Sequence, residues 1–107
     1  MPKYLFQASY TAEGLQGLIK DTASGRKAAV QKAVKSLGGK LECMYYAFGK
    51  DDVILIADLP SNSAAAAVGL VTGASGLVHI RTTPLLTIEE TDKAIATKSK
   101  YRAPGAE

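Results

Sequence analysis

In YYAFGKDDVILIADLP, residues 45–60, two strand-like runs stand either side of Gly49-Lys50-Asp51-Asp52, and so short a connection makes them an antiparallel hairpin. A strand and a helix pattern precede this hairpin, and a helix and a strand follow it. Residues 3–10 (KYLFQASY) alternate with aromatic side chains at Tyr4, Phe6 and Tyr10, the period-two signature of a strand. Residues 11–22, interrupted by Gly14 and Gly17, read as turn-rich. Val30, Ala33, Val34 and Leu37 then recur at helical spacing and predict a helix over 23–37, which Gly38-Gly39 ends in a left-handed cap. The hairpin strands occupy 40–48 and 52–59. Ser61 is placed to cap a second helix over 62–74, LVHIRTTP reads as the last strand, and Thr87-Ile88-Glu89-Glu90 fits a capping box opening a helix over 88–98.

The order is therefore βαββαβ plus a C-terminal helix. A hairpin between two βα units excludes an all-parallel sheet, and right-handed crossovers then give an α+β, ferredoxin-like arrangement. It has a four-stranded antiparallel sheet in the order 4-1-3-2, with the helices on one face.

With 107 residues, the chain has room for one core and not for two. Residues 1–98 are assigned to that domain and 99–107 to a basic flexible tail. Residues 1–92 balance nine basic against nine acidic side chains, so the net charge of +3 comes from Lys93, Lys98, Lys100 and Arg102 near the end, set against Glu107 alone. An excess confined to a terminus gives no footprint for nucleic acid. The longest uncharged stretch is broken by Pro60, Gly69, Gly73 and Gly76 and is a poor bilayer span. MPKYLFQASY enters a strand without the pattern of a secretory signal, which points to the cytoplasm. Cys43 is the single cysteine, so an internal disulfide and a multi-cysteine metal site are both excluded; no metal and no cofactor are expected.

The third strand raises a different demand. Val53, Ile54, Leu55, Ile56 and Ala57 are apolar on both faces, although helices can cover only one. A second copy of the sheet is the economical cover, which predicts a homodimeric α/β barrel or a higher homo-oligomer. A two- or four-residue loop fixes the parity of the hairpin. Glu42, Met44, Tyr46 and Phe48 then join Val53, Leu55 and Ala57 on the helix side, together with Tyr4, Phe6, Ala8, Val78 and Ile80. Leu41, Cys43 and Tyr45 join Asp52, Ile54, Ile56 and Asp58 on the other face, with Leu5, Gln7, Ser9, His79 and Arg81. Tyr45, Asp52, Asp58, His79 and Arg81 among isoleucines have the composition of a ligand pocket between two facing sheets. In this reading Asp51 points out of the turn, Gly49 is required for a positive φ, and Asp58 is an ion-pair partner for Arg81 across the interface.

Taken in order, these residues are a strand, a basic helix ending in Leu-Gly-Gly, an aromatic strand and Gly-Lys-Asp-Asp. An apolar strand ending in acid-x-Pro, an Ala-rich helix and a Gly-led strand follow. Over about residues 3–90 this pattern resembles the GYD domain family, small proteins of unassigned activity that are similar to dimeric α/β barrels. The resemblance aligns Gly49 with the motif glycine, Asp52 with its aspartate, Tyr45 with the preceding aromatic residue, Asp58 with the acid before proline and Arg26 with the helix-opening arginine. Asp51 stands where the motif has tyrosine.

Two functions fit. One is a small oligomeric domain that holds a small molecule between facing sheets. The other is a cofactor-free, oxygenase- or isomerase-like enzyme of the dimeric-barrel type, with His79 as acid or base, Arg81 holding an anion and Asp58 orienting or protonating. An RNA-recognition domain shares the element order but needs stacking aromatics on its third strand, and DVILIADL has none.

Overall fold

The structure, a computed structural model, describes residues 1–106. Its elements are β1 (Lys3–Tyr10), α1 (Ala12–Ser36), β2 (Lys40–Tyr46), β3 (Val53–Asp58), α2 (Asn62–Ala74), β4 (Val78–Leu85) and α3 (Ile88–Ala96). The four strands form one antiparallel sheet in the order β2-β3-β1-β4, the ferredoxin-like topology that the central hairpin requires. No helix among the described residues is long and apolar enough to cross a membrane.

The core lies on the face covered by α1 and α2. Tyr4 and Phe6 of β1, Ala57 and Leu59 of the β3 segment, Val34 of α1 and Ala65 of α2 are almost wholly buried there. Burial of side chains of this size stabilises by about 1.5–3 kcal/mol each. The Tyr4 hydroxyl goes inside with its partner supplied, donating to Asn62 Oδ1 at 2.6 Å. Ser61 caps α2 as its position suggests, accepting from the amide of Ala64. α2 meets the sheet through Ala65 and Val68, whereas Val71, which the spacing places in the buried stripe, is exposed.

α1 is longer than its apolar repeat implies, because residues 12–21 are helical as well. Thr11 accepts from the amide of Gly14 and starts the helix. Gly14 is the point where α1 crosses the start of β4, and a Cβ there would collide with the Leu77 carbonyl oxygen. The glycine that reads as a breaker is thus a contact that only glycine permits. The helix is interrupted at Thr22, where φ is 68° and ψ is 164°, and the Thr22 hydroxyl caps the second half by accepting from the amide of Gly25. This is glycine-only backbone space occupied by a β-branched residue. At the other end Gly38 has φ 82°, and the amides of Gly38 and Gly39 return to the carbonyls of Lys35 and Val34.

The hairpin closes with the Ala47 amide donating to the Asp52 carbonyl at 2.8 Å, leaving a four-residue loop, 48–51. The expected parity holds from Cys43 to Ala47 and fails below it. An irregularity between Leu41 and Cys43 turns Leu41 to the core and Glu42 to the open face, the reverse of the simple alternation. Phe48 lies beyond β2 and is fully exposed, so it is not a core residue. Gly49 lacks the expected positive φ, and a Cβ on it would meet open space.

Candidate functional site

The sheet face that carries no helix is laid out by strand register. Tyr45, Ile54, Gln7 and Arg81 form one row across β2, β3, β1 and β4, and Cys43, Ile56, Leu5 and Thr83 form the next. Ser9 and His79 pair beyond the first row, beside Asp52 at the start of β3, while Asp58, Lys3 and Leu85 lie at the opposite end. The centre of this face is apolar and its two ends are polar. Four of the five residues expected to share a pocket, Tyr45, Asp52, His79 and Arg81, occupy neighbouring rows. Asp58 lies six residues along β3 from Asp52, about 20 Å away at the rise of a strand.

The ion pairs differ from the sequence reading. Arg81 donates from Nη2 to Asp51 Oδ2 at 2.7 Å, so within the chain its partner is Asp51. The Asp51 side chain is 14 % exposed against 58 % for Arg81, so the supposed solvent-facing turn residue is the more enclosed half of the pair. Asp52 has a backbone role. Its amide donates to the Ala8 carbonyl, and its carboxylate accepts from the Tyr10 amide, both at 2.8 Å. The residue thereby extends the β1–β3 ladder one step past β3 and leaves other lone pairs for a further donor.

At the far end Lys3 donates to Glu42 at 2.7 Å and to Asp58 at 2.9 Å. The bond to Glu42 and then that to Asp58 favour the charged ammonium and raise the Lys3 pKa to about 12. Lys3, Asp51 and Glu42 therefore belong to this face, although the sequence reading turned Asp51 out of the turn and put Glu42 on the helix side. Lys3 was detectable by alternation along β1. Glu42 was not, because nothing local announces the irregularity in β2.

A profile of the GYD domain matches residues 4–95, which takes in the sheet and all but the last residue of α3. The chain belongs to the GYD domain family. No curated protein and no solved structure matches it. In this GYD domain the Asp51 carboxylate holds Arg81. His79 and Tyr45 are both exposed on the same face, Tyr45 at 70 %.

Proposed function

We propose that this GYD domain is a homo-oligomeric, cytoplasmic binding module in which the helix-free faces of two copies meet and enclose a small molecule. The reading rests on one observation: α1 and α2 lie on one side of the sheet, while Leu5, Cys43, Ile54 and Ile56 form an apolar centre on the other. These four are only partly buried in the single chain. A hollow of about 160 Å³, in which Met1, Ile56, Leu85 and Leu86 stand beside the charged Lys3 and Glu42, carries that surface to the base of α3. There Leu86, Ile88 and Ile95 are also exposed, and α3 buries no residue of its own.

A ligand at the hairpin end would meet Tyr45, His79, Asp52 and the remaining donors of Arg81, with Asp58 contributing from the opposite end or from the other copy. That set suits a polar aromatic or anionic molecule. Sedimentation at micromolar concentration is expected to give a dimer or larger species, and native mass spectrometry a retained small molecule. Ile56→Asp puts an unpaired charge in the contact and should yield monomer or unfolded chain. A stable wild-type monomer would overturn the proposal.

A further inference from the structure

A second cavity lies on the helix side of the sheet, away from the face just described. It has a volume of about 150 Å³ and is walled by Phe6, Ala8, Val34, Val53, Leu55 and Ile80. Tyr10, Arg26, Thr72 and Val78 line both this cavity and an adjoining hollow of about 290 Å³ between α1 and α2, so the four stand where the two spaces meet. The polar groups are gathered at that junction. The inner end is hydrocarbon.

From this arrangement we infer that the helix-side cavity binds a small carboxylic acid with a compact apolar body, such as an aromatic ring or a branched chain, its carboxylate held by Arg26. An apolar cavity of this volume takes a ring the size of benzene. A guanidinium matches a carboxylate with two parallel N–H donors. Arg26 forms an ion pair with Asp21 at 3.6 Å, a separation beyond hydrogen-bonding distance, so its N–H donors remain open to a carboxylate. The hydroxyls of Tyr10 and Tyr46 are 3.3 Å apart. Tyr10, which lines the cavity, keeps its own O–H for a second oxygen when it accepts from Tyr46. Burial, more than the Tyr10 contact, pushes the Tyr46 phenol well above its usual value, so that hydroxyl stays neutral.

The backbone supports the same place. Thr22, in its strained conformation, separates Asp21 on the first half of α1 from Arg26 on the first turns of the second. Such outliers persist where the surrounding structure holds them, and they concentrate at ligand sites. This inference is independent of the intersheet reading, since the cavity is complete within one chain.

The test is a titration of methyl-labelled full-length protein with millimolar benzoate, with benzyl alcohol as the uncharged counterpart, followed by NMR. Benzoate is expected to shift the methyl signals of Val53, Val68 and Ile80 and to leave those of Ile54 and Ile56 in place. Arg26→Gln should weaken benzoate by about tenfold or more and leave benzyl alcohol unchanged. Ala33→Phe, which fills the cavity, should abolish binding of both; if that variant does not fold, the Arg26→Gln comparison decides alone. The proposal is overturned if benzoate moves no helix-side methyl, if it moves only Ile54 and Ile56, or if Arg26→Gln binds it as wild type does.

Discussion

Arg81 on β4 reaches past the intervening β1 to place its Nη2 2.7 Å from the Asp51 carboxylate in the β2–β3 loop. The pair ties an edge strand to the hairpin turn. Because the Arg81 side chain is more than half exposed, solvent screens the attraction, and a double-mutant cycle of Asp51→Asn with Arg81→Gln should give a coupling of about 1 kcal/mol or less. A coupling several times larger in denaturant unfolding would mean that the pair is enclosed by a partner.

The neighbouring acid should behave differently. Asp52→Ala removes the acceptor of the Tyr10 amide and is expected to cost about 1–2 kcal/mol, whereas Asp52→Asn keeps a carbonyl acceptor and should cost clearly less. Equal losses for the two variants would show that charge, and not the hydrogen bond, is what Asp52 contributes.

Glycine positions separate in the same way. A Cβ on Gly39 would collide with the Asp58 carbonyl oxygen and crowd Leu59 and Val34, so Gly39→Ala should destabilise by about 1–3 kcal/mol through overpacking. Gly49→Ala meets open space and has no positive φ to lose, so it should stay within about 0.5 kcal/mol of wild type. Paired urea unfolding curves decide the matter, and a large loss at Gly49 would contradict the loop geometry.

Relieving the break in α1 should stabilise the fold. Strain of the kind seen at Thr22 costs about 1–3 kcal/mol, while the loss of its cap to glycine costs only a few tenths. Thr22→Gly is therefore expected to raise the melting temperature, and a drop would show that the Thr22 hydroxyl matters more than its backbone.

Acid should loosen α3. Glu90 accepts from the Thr87 amide and Thr87 Oγ1 accepts from the Glu90 amide, each at 3.0 Å, and these bonds hold the Glu90 carboxyl below its ordinary value of 4.5. With the folded value depressed, the stabilisation is present in full above the unfolded value and is lost as pH falls through the folded one. Amide exchange over residues 88–96 should quicken on acidification, and Glu90→Gln, an uncharged acceptor, should flatten that dependence.

What the sequence determined by itself is whatever neighbours along the chain decide. The short loop at 48–51 made the hairpin and hence the antiparallel sheet; Ser61, the Thr87–Glu90 box and Gly38 set helix ends through bonds spanning three or four residues. Alternation likewise placed Tyr4, Phe6 and Ala8 on the core face and Tyr45, His79 and Arg81 on the other. Tertiary structure decided the rest, because it turns on partners distant in sequence. Gly14 must lack a side chain because the Leu77 carbonyl lies against it, 63 positions on, and Glu42 faces Lys3 because β2 is irregular against β3. The roles of the two adjacent acids followed from where Tyr10 and Arg81 were brought. The Arg26 cavity is a space between helices and sheet, and a space has no residue of its own for a sequence to spell.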